Sequence, residues 1–331
     1  MPDLAAATAI ATTHSQRRAE LVVVEREDVA DAVVALTLEA PDGSELPAWT
    51  PGAHIDVYVD PSTVRQYSLC GSPADRRRWR IGVLREAEGR GGSEQIHQNL
   101  HVGSPVAVRG PRNHFLLAEA KSYVFVAGGI GITPLMPMIA DVAAAGLPWH
   151  LHYGGRCRST LAFADELVGA YGDDVTLWPE DECGLLDLPR LLGRPEPGRV
   201  IYCCGPEGLL VATESNCASW PSDSLHVERF SAKPGQPADE PGDESFEVIC
   251  TLSDLTVTVP PGNSIIDVLE ANGVNVLCSC QEGVCGTCET RVLGGVPEHR
   301  DSLLTDEERA ANDYMMICVG RARSGPLTLE I

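Results

Sequence analysis

Residues 278 to 288 read CSCQEGVCGTC, and no other stretch of the 331-residue chain restricts its fold so severely. Cys280, Cys285 and Cys288 stand as C-x4-C-x2-C, and Cys318 follows in MMICVG. A loop with thiols at this spacing has to wrap around something that takes four thiolates, and the spacing is that of a two-iron, two-sulfur (2Fe-2S) cluster. Gly283 inside the x4 loop and Gly286 after Cys285 allow a tight backbone whose amides turn toward sulfur. A structural zinc site would sooner show two separated C-x2-C pairs; zinc and plain core cysteines are the alternatives. Cys278 lies outside the pattern and is expected to be a small buried residue.

The flanks fit a small domain built around that loop. FEVICTLSDLTVTVPPG reads as a hairpin, and SIIDVLEANG reads as a helix with Ser264 and Asp267 placed as a capping box. This layout resembles the plant-type ferredoxins. The resemblance implies a β-grasp domain over residues 247–331 with Cys280, Cys285, Cys288 and Cys318 as cluster ligands. Upstream, SAKPGQPADEPGDESF at 231–246 holds three prolines, two glycines and four acids without apolar periodicity, the composition of a linker.

Ahead of the linker the chain changes rhythm once. HIDVYVD (54–60) and WRIGVL (79–84) alternate between Pro, Gly and Asp, which predicts antiparallel strands in a sandwich or barrel over residues 15–113. SYVFVAGG, PWHLHYGG and RVIYCCGP are apolar runs ending in glycine with helix-length segments between them, which predicts a parallel α/β domain over 114–230. The first fourteen residues lack the basic and apolar regions of a leader and are expected to be a disordered tail. The longest apolar run is far short of the roughly 20 residues of a membrane span. A net charge of -22 speaks against nucleic acid and anionic membranes as partners. Thiol richness without a leader points to the cytoplasm and to metal or redox chemistry.

A cluster passes single electrons, so another group has to load it. In VRQYSLCGSP, which holds Arg65, Gln66, Tyr67 and Ser68, Arg65 would give a flavin phosphate its cation, Tyr67 a flat side chain against the ring and Ser68 a short hydroxyl near N5; an ordinary strand end is the alternative. This stretch resembles the RxYS motif of the ferredoxin-NADP reductase superfamily. In GRGGSEQIHQNL, Gly91, Gly92 and Ser93 lead into a helix whose free amides suit a phosphate; a plain glycine turn with a serine cap is the alternative. With no aromatic-rich insertion to clamp an adenine, FMN is favoured over FAD.

FVAGGIGITPL follows a strand with Gly128, Gly129 and Gly131, then Thr133 and Pro134 at a helix start, where backbone can approach a pyrophosphate. IYCCGP places Cys204, Gly205 and Pro206 at the end of a later strand, where the superfamily's CGP motif borders the nicotinamide. Cys203 points the other way and is read as core.

RQYSLC, GRGGS, VAGGIGITP, YCCGP, HVERF and the cysteine pattern occur in the order found in the phthalate dioxygenase reductase family, which includes vanillate demethylase reductases. The resemblance spans residues 17–331. It implies FMN, NADH as hydride donor, a Rieske-type oxygenase or demethylase as acceptor, and Ser68 and Cys204 at the reacting centre. It also implies Phe230 of HVERF beside the flavin or the path to the cluster. Arg156, Arg158 and Ser159 would accept a 2'-phosphate, so NADPH stays open.

Hydride transfer to a flavin followed by single-electron release needs placement rather than acid–base catalysis. His54, His97, His101, His114 and His299 are accordingly read as surface or packing residues. Glu282, Glu289, Glu298, Asp301, Asp306, Glu307 and Glu308 outnumber Arg291, Arg300 and Arg309, and such a field would steer a basic partner; a merely solvated face is the alternative. A monomer is expected. Two other functions compete: a stand-alone NAD(P)H reductase of iron chelates, quinones or oxygen, and a non-enzymatic iron–sulfur redox sensor.

Overall fold

The computed structural model describes residues 18–60, 63–86, 91–231 and 244–331. The tail expected over 1–14 and most of the linker expected over 231–246 lie outside these; Phe246, the last residue of that segment, already begins a strand. The chain divides into a unit ending at Glu228 and a unit beginning at Arg229.

The first unit starts with β1 (Ala19–Ala30), β2 (Val33–Glu39), β3 (His54–Tyr58), β4 (Val64–Ser68), β5 (Arg78–Leu84) and β6 (Pro105–Arg112), with helix α1 (Gly92–Asn99) between the last two. These strands form one antiparallel sheet in the order β4-β3-β6-β1-β2-β5. A bridge from Leu69 to Ile81 joins its two edges and rolls it into a barrel. Period-two alternation drives this closure: Ile55 and Val57 on β3, Leu36 and Leu38 on β2, and Ile81 and Val83 on β5 all enter one core with at most 1% exposure. Each such side chain contributes about 1.5–3 kcal/mol on burial.

Next come β7 (Ser122–Gly128), α2 (Leu135–Ala144), β8 (Trp149–Gly155), α3 (Ala164–Tyr171), β9 (Val175–Pro179), the single turn α4 (Glu180–Cys183), α5 (Leu188–Leu192), β10 (Arg199–Cys204), α6 (Glu207–Asn216) and β11 (Leu225–Glu228). The five strands are parallel in the order β11-β10-β7-β8-β9. Both faces are covered, which explains the continuous apolar runs. Phe125, Leu151, Tyr153 and Tyr202 face one cluster with α2, while Val124, Val126, Ile201 and Cys203 face another with α5 and α6. From β7 the chain winds outward to β8 and β9, then returns to β10 on the opposite side. The crevice beyond the carboxyl ends of β7 and β10 is therefore the switch point where open α/β sheets take ligands.

Barrel and parallel sheet meet within this unit. A β-carbon on Gly82 of β5 would lie 2.9 Å from Thr133 Cγ2 and 3.3 Å from Ile130 and Phe163. Arg80 stacks over the Phe163 ring at 4.8 Å and bonds Glu166 at 2.8 Å.

The second unit contains β12 (Phe246–Cys250), β13 (Leu255–Val259), α7 (Ile265–Ala271), β14 (Glu289–Glu298), α8 (Asp306–Ala311), β15 (Tyr314–Met316) and β16 (Arg321–Leu329). Its sheet runs β13-β12-β16-β14-β15, with β12 and β16 parallel and the other pairs antiparallel. α7 lays Ile265, Ile266 and Leu269 on this sheet in the manner of a β-grasp. Its start is the expected capping box: the Ser264 hydroxyl accepts from the Asp267 amide at 3.1 Å, and the Asp267 carboxylate accepts from the Ser264 amide at 2.8 Å.

Candidate functional site

Among the described residues β4 pairs along its length with β3, with Ile55 opposite Tyr67 and Asp56 opposite Gln66. Across from it begins α1, whose N-cap is Gly91 at φ +79° with no side-chain cap. Serine is thus not the cap: Ser93 lies inside the helix, and its hydroxyl accepts from the Glu86 amide at 3.0 Å. The Arg65 guanidinium lies against Gly92, where a β-carbon would come within 2.7 Å of Nε. Arg65, Gly91, Gly92 and Ser93 therefore come together as a cation beside the uncapped amides of a helix start, a cradle suited to a phosphate. Tyr67 packs on the barrel core, and burial raises its hydroxyl well above the usual range, so the phenol keeps its proton. Ser68 is buried at the end of the strand.

Beneath Gln66 sits a charge network that the sequence did not announce. Asp56, wholly buried, accepts from Arg109 at 2.7 and 2.9 Å, from Arg112 at 2.6 Å and from Gln66 at 3.0 Å. Burial pushes its carboxyl upward. The charge and hydrogen bond of Arg112, the Gln66 bond and the charge of Arg109 outweigh this and hold it below the usual carboxylate range.

At the switch point two loops interlock. A β-carbon on Gly131 would overlap the Cys204 carbonyl, one on Gly205 would lie 2.9 Å from Gly128 Cα, and one on Gly128 would lie 2.6 Å from Pro206. Gly131 and Gly205 pack backbone on backbone and Gly128 lies against the Pro206 ring and Leu209, so none of the three has room for a side chain. Gly129 differs: at φ +53° it has open space where a side chain would stand. Thr133 is buried and its hydroxyl donates to the Ile130 carbonyl at 3.0 Å, tying the turn that Pro134 leads into α2.

Cys204 has 0% exposure, and its thiol points at the Glu228 carboxylate, 3.9 Å away, which its strand register places alongside. Burial and the Glu228 charge raise the thiol well above its usual range, so it stays neutral. Burial likewise pushes Glu228 up to about 8. Sequence reading stopped at Phe230 in HVERF and passed over Glu228; the signal available was an acid at the carboxyl end of a sheet strand. Phe230 itself is 46% exposed.

In the second unit the four cysteines of the pattern are buried and their sulfurs form a chain of contacts. Cys280 accepts hydrogen bonds from Cys285 and Cys318, which hold it far below the usual thiol range and raise the two donors, and Cys318 also meets Cys288. The Glu282 amide donates to Cys280 Sγ at 3.3 Å. Gln281, Gly283 and Gly286 all take positive φ, which curls the loop around the sulfurs. Among the described residues no three His, Cys, Asp or Glu side chains are set to hold one metal ion. Four buried sulfurs, three from one loop and one from Cys318, are the donor set a two-iron, two-sulfur centre takes.

The family described as 2Fe-2S iron-sulfur cluster binding domain matches residues 250–323. The chain is 45% identical, over 91% of its length and 94% of the relative's, to the phenoxybenzoate dioxygenase subunit beta of Ectopseudomonas oleovorans. It matches the structure of an intact type IV self-sufficient cytochrome P450 monooxygenase with a TM-score of 0.90 and 44% identity, covering 95% of this chain and 41% of that longer one. It also matches phthalate dioxygenase reductase, described as a modular structure for electron transfer from pyridine nucleotides to 2Fe-2S, with a TM-score of 0.70 and 34% identity over 95% of this chain and 98% of that one. This chain belongs to the phthalate dioxygenase reductase family.

As a phthalate dioxygenase reductase relative, the chain is an oxidoreductase whose carboxyl-terminal domain holds a 2Fe-2S cluster. Several residues of this reductase stand differently from the sequence reading. Cys278 is half-buried rather than buried. Asp301, counted among the steering acids, is 1% exposed; its carboxylate accepts from the Leu303 and Leu304 amides at 3.0 and 2.8 Å. Its backbone lies so close to Gly283 that a β-carbon there would sit 2.9 Å from Asp301 Cα. Asp301 is a strut behind the cluster loop, not a surface charge; the side chain of Asp306 lies outside the described residues. His97 and His299 are packing residues: His97 meets the Val83 carbonyl at 2.9 Å and His299 meets Asn312 at 3.2 Å. In the loop after β8, Arg158 pairs with Glu182 at 3.3 Å and Ser159 with Asp31 at 2.5 Å.

Proposed function

We propose that this reductase takes hydride from NADH onto FMN in the first unit and delivers electrons singly, through the cluster of the second, to a Rieske-type oxygenase or demethylase. The carrying observation is the buried four-sulfur chain in the same polypeptide as a nucleotide-type switch point and a cation-on-helix cradle. FMN supplies the conversion of a two-electron donor into single electrons, and the cluster relays them.

The chain's own residues do the holding. Arg65 and the amides of Gly91, Gly92 and Ser93 bind the flavin phosphate, Tyr67 and Ser68 border the ring, and Gln66 is fixed from behind by Asp56. The turn at Gly129 takes the dinucleotide's pyrophosphate, while Gly128, Gly131, Gly205 and Pro206 keep the loops locked so that its position is set in advance. Thr133 and Pro134 tie that turn to α2. Cys204 supplies a neutral wall at the nicotinamide end, and Phe230 follows on the exposed strand end. Cys280, Cys285, Cys288 and Cys318 ligate the cluster.

NADH is favoured over NADPH because Arg158 is already engaged by Glu182 beside Glu180 and Asp181, acids that oppose a 2'-phosphate. A net charge of -22 favours a basic face on the acceptor. Among the described residues no helix is long and apolar enough to cross a membrane; the reading is completed by a cytoplasmic monomer.

The test is anaerobic addition of NADH to purified protein. Flavin and cluster absorbance should both bleach, and Cys288→Ser should keep flavin reduction while losing iron, sulfide and reduction of the acceptor. Cluster-loaded protein that NADH leaves unbleached would refute the reading.

A further inference from the structure

Of the twelve cysteines, Cys183 alone is exposed, and Cys157 is one of two that are half-exposed; none is in a disulfide. They stand on neighbouring loops at the carboxyl edge of the parallel sheet. Cys157 follows β8 and caps a short 3-10 turn, and Cys183 ends the single turn α4 that follows β9. β8 and β9 pair in parallel up to Gly155 and Pro179. The junction continues beyond the strands: the Asp181 amide donates to the Arg156 carbonyl at 3.2 Å, and Arg158 reaches Glu182 at 3.3 Å. The residues on either side of Cys157 are thus bonded to the two residues just before Cys183. Ser159 and Thr160 stand 3.4 and 3.9 Å from the Cys157 sulfur, and their hydrogen bonds lower its thiol from the usual range.

Arg158 is paired with Glu182 and the Asp181 charge opposes the thiolate, so what favours reaction at Cys157 is the two hydroxyls on a sulfur that solvent can reach. Nothing in the electron path uses either cysteine. In parallel α/β sheets the loop after the second strand of the nucleotide unit borders the adenosine ribose, which makes this junction a place where a cross-link is felt by the cofactor.

We propose that Cys157 and Cys183 form a peroxide-driven disulfide that clamps the loop after β8 to α4 and weakens nucleotide binding. The Cys157 thiolate attacks hydrogen peroxide, forming an S–O bond as the O–O bond breaks and hydroxide leaves with a proton as water. The Cys183 thiol then attacks the sulfenic sulfur, the S–O bond breaks, and a second water leaves. Two thiols are oxidised, one peroxide is reduced, and two waters form. The cross-link requires Cys157 and Cys183 to come to a Cα separation of roughly 4.4–6.8 Å, with α4, a single turn at the sheet's edge, as the element that moves. The cross-link alone rests only on this junction; its effect on NADH rests on the nucleotide placement proposed above.

The test treats full-length holoprotein with hydrogen peroxide, alkylates remaining thiols and maps peptides without reduction. A Cys157–Cys183 peptide should appear while the visible spectrum of flavin and cluster stays unchanged. The KM for NADH should rise about tenfold with little change in kcat, within the range of ordinary coupling between sites, and dithiothreitol should restore it. Cys183→Ser should show normal KM before and after peroxide. If Cys157 is oxidised yet no peptide joins it to Cys183, the disulfide is wrong. If the peptide forms and KM does not move, the control of nucleotide binding is wrong. Should reduced protein fail to accept hydride from NADH at all, the functional reading falls while the cross-link still stands or falls on the peptide map.

Discussion

Arg65 lies on Gly92, its Nε where a β-carbon would be only 2.7 Å away, although 27 residues separate the two. The contact joins the edge strand of the barrel to the start of α1 and makes one cradle of two motifs. Arg65→Ala is expected to weaken FMN binding by about tenfold to a hundredfold, matching the 1.5–3 kcal/mol or so of a hydrogen bond to a charged group. Gly92→Val should cause a smaller loss, because it displaces a flexible guanidinium and leaves the amides in place. Fluorescence titration of flavin-free protein measures both; equal affinity in all three proteins would rule out the cradle.

The glycines of the nucleotide turn separate into two kinds. Gly131→Ala forces a methyl onto the Cys204 backbone and should destabilise the first unit by about 2–3 kcal/mol, the upper part of the overpacking range. Gly129→Ala meets open space and should cost about 1–2 kcal/mol for its left-handed backbone, while raising the KM for NADH. Thermal unfolding alongside steady-state kinetics distinguishes them. Similar unfolding losses would show that the two loops do not interlock.

Glu228 makes stability depend on pH in a definite direction. Below its ordinary value of 4.5 the carboxyl is protonated in both folded and unfolded chains. As pH rises toward about 8 the unfolded chain ionises while the folded one keeps its proton, so stability falls across that window and then levels. Glu228→Gln should remove this slope of at most about 1.4 kcal/mol per pH unit. Urea midpoints at several pH values read it out, and parallel profiles for the two proteins would contradict it.

Asp56 acts with the opposite sign. Its carboxyl is held below the ordinary 3.8, so its contribution is complete above that pH and is lost as pH falls through the lower folded value. Asp56→Ala leaves Arg109 buried without its partner and should cost about 3–5 kcal/mol at neutral pH. The gap between variant and parent should narrow in acid. A gap independent of pH would mean that shape, not charge, is what the variant removes.

Some of this molecule was written in its local sequence. The cysteine spacing, the capping box at Ser264 and Asp267, the alternation of HIDVYVD and the glycine-ended runs of the parallel sheet each depend on residues a few positions apart, so chain geometry alone fixes what they do. Other features arose only when distant segments met. Gly131 is required because β10, some seventy residues later, returns beside β7 and sets Cys204 against it. Asp301 looks like surface charge until the cluster loop closes over it at Gly283, and the Asp56 network exists because β3 and β6, about fifty residues apart, pair as neighbours and set Arg109 opposite Asp56. Local composition determined which groups this reductase can carry; the approach of backbones far apart in sequence decided which side chains hold them, because burial, and with it charge state and packing, is a property of neighbours that the chain supplies only once folded.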